Sequence, residues 1–288
     1  MHEVPNKGYL LENFRLFHLK DRRAQPVEPH YHEFDKLVLL FSGAVDYTIE
    51  GVCYRMQPGD LLFVRHHDIH RPVISPDRVY DRAVLWIRPE FLSRCGVAGE
   101  PLERCFERSE GERSCLYRPA AETSQRIRRL TLNLERALEE EDVFGRETMV
   151  HACFLQLMVE CSRCALSEQP ETAGDVDPQI DEVLHYINTH LDDELSVENL
   201  AAMCYLSRYY FMRRFKETTG YTVHNYIQQK RLAAALERME EGANVTDAAL
   251  ESGFTEYSSF LRAFRKAYGA SPSEYLHQKT QMESNYRE

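Results

Sequence analysis

The 288-residue chain has no surplus of positive charge. Its 35 lysines and arginines stand against 46 aspartates and glutamates, a formal net charge of −11. That excludes a uniformly basic surface of the kind that coats nucleic acid without reading it. No apolar run approaches the length of a bilayer span, and the opening MHEVPNKGYLLENF has none of the build of a signal peptide. The expectation is a cytoplasmic protein with no membrane partner. No second Cys-x-x-Cys joins Cys161 and Cys164, so that pair reads as two thiols in an apolar helical stretch, not as half of a metal or redox site. The eight cysteines are expected to be free. With 43% hydrophobic and 28% charged residues, the composition is that of a globular chain long enough for two domains.

What positive charge there is comes in clusters. In GFTEYSSFLRAFRKAYGASPSEYL, Gly253 to Leu276, Phe260 and Phe264 are four apart and share one helix face. Arg262, Arg265 and Lys266 fall on the other faces, Gly269 ends the helix, and Ser271-Pro272 opens another. Taken alone, such a helix is equally a solvated face. It is repeated, however, 49 residues upstream in LSRYYFMRRFKETTGYTVHNYI, Leu206 to Ile227. Phe211, Arg213, Phe215, Lys216, Gly220 and Tyr226 answer Phe260, Arg262, Phe264, Arg265, Gly269 and Tyr275. A short helix capped by Ser196 or Asn244 precedes each copy at an offset of 48, so the second copy has one extra residue in its turn, beside Gly253. Short helix, tight turn and second helix read as helix-turn-helix, twice. Between them Val223 to Glu241 carries Ile227, Leu232, Ala235, Leu236 and Met239 at helical spacing, one connecting helix.

Residues 180–276 resemble the DNA-binding domain of AraC/XylS-type transcription regulators, on LAAMCYLSRYYFMRRFKETTG, YIQQKRLAAAL and DAALESGFTEYSSFLRAFRKAYGASPSEYL. Val223 departs from the family's Pro and Ala248 from a larger aliphatic, both at packing positions. Pro178 to Glu288 still holds 12 basic against 16 acidic residues, so two small positive patches on a negative body are expected, with weak non-specific binding. Helix geometry puts the first two turns of each second helix toward the major groove. The base-reading candidates are Tyr209, Met212 and Arg213 in the first copy, and Ser258, Ser259 and Arg262, with Tyr257 alongside, in the second. Arg213 and Arg262 suit a bidentate guanine contact. Arg208, Lys216, Arg265 and Lys266 suit phosphates, and the resemblance makes Arg231 a tie between helices.

The N-terminal half is β-rich. VLLFSGAVDYTIEGVCYRMQPGDLLFV alternates apolar and polar residues, turns at Glu50-Gly51 and Pro58-Gly59-Asp60, and resumes at Leu61 to Val64, as in a small antiparallel barrel or jelly roll. EPHYHEFDK and GDLLFVRHHDIHRP resemble the two cupin motifs, and residues 10–90 the effector-binding cupin of AraC-type regulators. His30, His32 and His70 match the cupin histidines and suit zinc, nickel or iron; on a strand, the first two would point to one side. The cupin Glu position holds Lys36 or Leu37 instead, and Arg65 replaces a Pro. Glu33 and Asp35 are the carboxylates left as a fourth ligand. Lining a pocket for a polar small molecule is the other reading of the histidines. Tyr31, Phe34, Tyr47, Tyr54 and Trp86 are candidates to line such a pocket, though aromatics in a barrel serve equally as core.

Two helices follow. Ile127, Leu130, Leu134 and Leu138 form one apolar stripe, and Val150, Phe154, Leu157, Met158 and Cys161 another. The resemblance implies a dimerisation element; packing on their own barrel is the alternative. The expected organisation is α+β in two domains: a cupin-like effector-binding domain over 1–110, a helical segment over 111–166, a linker over 167–178, an all-α DNA-binding domain over 179–278 and a tail over 279–288. The expected function is a non-enzymatic, sequence-specific transcription regulator under small-molecule control. Its expected partners are double-stranded promoter DNA, an effector, RNA polymerase and a second copy. The alternative is a metal-dependent cupin enzyme fused to a DNA-binding domain.

Overall fold

The computed structural model describes residues 10, 12–22, 27–75, 78–97, 100–107, 115–167 and 177–285. The chain divides into two compact units, Met1–Asp175 and Val176–Glu288. Most of the expected 167–178 linker lies outside the described residues. Its ends do not, and both are helical.

The first unit carries β1 (Phe14–Asp21), β2 (Asp35–Ser42), β3 (Val45–Ile49), β4 (Val52–Met56), β5 (Leu61–Val64), β6 (His70–Ile74), β7 (Tyr80–Ile87) and β8 (Leu116–Tyr117). Every pairing is antiparallel, in a five-stranded sheet of order β1-β7-β2-β5-β8 and a three-stranded sheet of order β4-β3-β6. The β3–β4 hairpin turns on Glu50 and Gly51, both at positive φ, the backbone a two-residue hairpin favours. The strands form two jelly-roll-like sheets, in line with the barrel or jelly roll expected, and they do not close into a barrel. Helices α1 (Pro89–Cys95), α2 (Ala121–Glu139) and α3 (Arg146–Ser167) complete the unit. Leu37, Leu39, Phe63, Leu85 and Ile87 share a core with Ile127, Leu134, Val150, Phe154, Leu157, Met158 and Cys161, so the large sheet's second face is covered by helix.

The two stripes therefore pack inside their own unit, the second of the two expectations for them. Helix α3 also corrects the reading that no segment has the length of a bilayer span: its 22 residues reach that length and apolarity. Most of its large apolar side chains lie in the core just described, while Met149 and Leu166 are exposed. The eight cysteines are free thiols. Burial pushes the Cys161 thiol well up, and that of Cys105 to about 12.

The second unit is helical: α4 (Pro178–Thr189), α5 (Val197–Met203), α6 (Arg208–Thr219), α7 (Val223–Glu240), α8 (Val245–Glu251), α9 (Tyr257–Tyr268) and α10 (Pro272–Asn285). Helix α10 runs past the point where the tail was expected to begin. Local chemistry sets the boundaries. Ser196, Ser207, Thr222 and Asn244 each accept a backbone N–H at a helix start. Gly220 and Gly269 end α6 and α9 in the left-handed conformation. The turns between short and long helix are Cys204–Ser207 and Ser252–Glu256, which is the extra residue seen in the sequence.

Arg231 of α7 ties these pieces together. Its Nε donates to the Leu191 carbonyl and a terminal nitrogen to that of Asp193, both at 2.8 Å. Gly253, at φ +89°, packs against this arginine, and a Cβ there would stand 2.0 Å from the Leu191 oxygen. Gly269 has φ +77° but nothing within 4 Å of such a Cβ. Gly269→Ala should therefore cost only the backbone penalty, about 1–2 kcal/mol, in urea unfolding of the full chain. Gly253→Ala should cost clearly more, because it also breaks the Arg231 tie; equal costs would show that the close packing is unimportant.

Candidate functional site

Each long helix of the two helix-turn-helix copies buries one face and presents the other. In α6, Phe211, Phe215 and Thr219 are buried; in α9, Phe260, Ala263 and Phe264 are. Edge-on and tilted contacts at 5.7 and 5.5 Å join the two phenylalanines of each pair. On the opposite side Arg208, Tyr209, Met212, Arg213 and Lys216 are exposed, Tyr209 by 76%. Tyr257, Ser258, Arg262, Arg265 and Lys266 are exposed on α9, with Ser259 half-buried beside them. The candidate positions thus fall together on the outward face of each helix. Arg262 donates to Ser259 Oγ at 3.2 Å, which holds its guanidinium over the first turn.

Two features were not foreseen. Acids stand on the same faces: Glu198 pairs with Arg208 at 2.7 Å, and Glu217 with Arg213 at 3.2 Å, one helical turn on. These are exposed pairs of the kind that contribute little to stability, but they mask positive charge until a stronger anion displaces them. Arg214, next to Arg213 in the sequence, is turned away from that face. It makes a bidentate pair with Asp177, the residue capping α4, and donates to Gln179 Oε1 at 2.5 Å. That arginine docks α6 onto α4. Nothing in the local sequence of α6 signals a partner 37 residues away.

The second constellation lies in the N-terminal unit. His30 forms an isolated bridge with His70 at the start of β6, each backbone N–H donating to the other's carbonyl at 3.0 and 2.8 Å. His32 follows in irregular backbone, so the expected strand alternation does not apply. The rings converge regardless: the three imidazoles offer nitrogens within 4.8 Å of one another, and all three residues are buried. His30 Nδ1 donates to the Glu28 carbonyl and His70 Nδ1 to that of Asp68, at 2.8 and 2.9 Å. This fixes each Nε2 as a lone pair, the arrangement metal-binding imidazoles share.

His32 Nδ1 is buried and has no hydrogen-bond partner among the described residues. Burial first, then the charge of Lys36, hold His32 and His70 well below the usual imidazole range, so both stay neutral. Asp35 is no ligand: its carboxylate accepts from His66 Nδ1 at 2.8 Å and from the His66 backbone. The fourth group at the cluster is Lys36, whose Nζ lies 3.4 Å from His70 Nε2. Three of the pocket aromatics gather here. Phe34 stacks on His32 at 4.4 Å and on Trp86 at 4.3 Å, and the Tyr47 ring lies 5.5 Å from the Lys36 ammonium. Tyr54 is buried opposite Tyr47 in the β3–β4 pair, and Tyr31 sits half-buried 6.2 Å from the His67 ring.

Comparison with known proteins fits both constellations. The AraC-like ligand-binding domain profile matches residues 17–152, and a helix-turn-helix domain profile matches residues 200–278. The chain belongs to the AraC family of transcription regulators. Its curated relatives include the HTH-type transcriptional activator RhaS of Enterobacter sp. (strain 638), 26% identical over 258 residues, 89% of this chain and 90% of that one. RhaS of Salmonella arizonae is 28% identical over 262 residues, with the same two coverages. Among solved structures, the DNA-binding domain of AdpA, in complex with a target DNA, is 29% identical over 37% of this chain and 95% of that one, with a TM-score of 0.34. The protein is thus an AraC-type DNA-binding regulator with a ligand-binding domain.

For this AraC-family chain, Arg214→Ala should lower the stability of the second unit by about 1–3 kcal/mol, read by chemical denaturation. Its preference among DNA sequences should be unchanged at temperatures where it stays folded. A shift in base preference would place Arg214 on the reading face.

Proposed function

We propose that the chain is a small-molecule-controlled transcription activator whose two recognition helices read successive major grooves of one promoter duplex. The observation that carries this is the matched pair Arg213 and Arg262. Each projects from the outward face of a helix whose other face is buried on aromatic residues. Each guanidinium suits the O6 and N7 acceptors of guanine. Tyr209, Met212, Tyr257, Ser258 and Ser259 flank them toward the groove, while Arg208, Lys216, Arg265 and Lys266 hold phosphates. Activation, rather than repression, is supported by the relatives' designation as activators.

The effector binds in the first unit, in keeping with that unit's match to a ligand-binding domain. The protein acts as a homodimer, recruits RNA polymerase and catalyses no reaction. Support for the last reading comes from relatives that are transcription regulators and from a lysine where a cupin enzyme would hold its glutamate. Nothing about the work of such a regulator requires it to leave the cytoplasm.

Replacing Arg213 or Arg262 with Ala should weaken binding to the specific site by about 1–3 kcal/mol and relax the base preference at one position each. The measurement is a competition assay over single-base variants of the site. A uniform loss on all sequences would make these residues phosphate contacts.

A further inference from the structure

The three-histidine cluster has the makings of a metal site, yet it already holds a cation. Lys36 lies on β2 opposite Val64 of β5 and Trp86 of β7. Its neighbours Leu37 and Leu39 pack toward the helices, while Trp86 belongs with Phe34 and Val84 to a separate cluster. By strand alternation the Lys36 side chain therefore leaves the large sheet on the face away from α2 and α3. It reaches His70, the first residue of β6 in the other sheet, where its Nζ stands 3.4 Å from Nε2. The residue is only 7% exposed. Among the described residues no carboxylate lies within ion-pair distance of it, and its partners are the imidazole and the face of Tyr47.

An ammonium carries three donors and no acceptor. What it needs in a buried place is a set of lone pairs, and the lone pairs on hand are those of the imidazoles. The Asp68 carbonyl fixes His70 with Nε2 as acceptor, and that nitrogen is the one the ammonium meets. A divalent ion would take the same nitrogen. It would also sit within a few ångströms of a fixed positive charge, and among the described residues the cluster holds no acid to offset either cation.

We infer that the Lys36 ammonium is the resident cation of the His30–His32–His70 cluster and takes the place of a metal ion, so that this sensor domain works without one. The lysine bridges the two sheets, and the domain responds to an organic effector, not to a metal. This deepens the reading of the first unit as a sensor, but it stands or falls without reference to DNA.

The test is a Co(II) titration of the full-length protein after chelation and desalting, read by the visible absorption of the bound ion. Three proteins are compared: wild type, Lys36→Met and the double variant Lys36→Met/His32→Ala. Methionine keeps the length and apolar stem of lysine and removes the charge. Lys36→Met should bind one equivalent, on the order of 10- to 100-fold more tightly than wild type, and the double variant should lose it. Should Lys36→Met fail to fold by its melting curve, Lys36→Glu, which supplies the missing carboxylate, should show the same gain. Wild type binding one equivalent as tightly as the lysine variants would overturn the inference. So would a folded lysine variant that binds none, because Lys36 would then not be what keeps metal out.

Discussion

Two pairs of phenylalanines set the outward faces of α6 and α9, the surface proposed to read DNA. Phe211 with Phe215, and Phe260 with Phe264, are fully buried, and each pair lies one helical turn apart. Truncating a core phenylalanine costs about 3–5 kcal/mol, several times more than any of the exposed ion pairs around it. The rotation of α6 and α9 about their own axes is therefore set by apolar packing and not by charge. Once it is set, Arg213 and Arg262 have one direction left to point. Helix α7 carries the same logic from one copy to the other: Leu232, Ala235, Leu236 and Met239 lie in one core with Phe260 and Phe264.

Charge works on top of this frame, and it works by restraint. An acidic unit with Glu198 and Glu217 seated against the exposed Arg208 and Arg213 is poorly suited to holding DNA by phosphate attraction alone. Binding must exchange those carboxylates for something better, and a bidentate guanine or a well-placed phosphate is better. This lowers affinity for arbitrary sequence more than for the right one, so the net charge of −11 becomes a contribution to specificity.

Legibility in the sequence followed the range of the interactions. Caps, glycine stops and the phenylalanine spacing act within one or two turns, so Ser196, Asn244, Gly220 and Gly269 marked their helices without a structure. The one-residue difference between the two turns was visible for the same reason. The docking role of Arg214 was hidden because its partner Asp177 is distant in the chain, and the two stripes left dimerisation and packing on their own unit open because a stripe shows only that something must cover it, not what. The three histidines could be matched to a motif, but their convergence depends on a bridge between His30 and His70 across forty residues of chain. The cupin glutamate's position was seen to hold Lys36 or Leu37. That the Lys36 amine enters the cluster follows from the pairing of β2 with β7, which no local pattern displays.

The central claim is that both helix-turn-helix copies read one duplex. The direct measurement is guanine methylation protection by the full-length protein on a site it selects from random DNA, since methylation occurs at N7 in the major groove. Two protected segments on one face of the helix, about 34 Å apart, should appear for each protomer bound. Protection of a single segment per protomer would contradict the claim and leave the second motif as a structural support for the first.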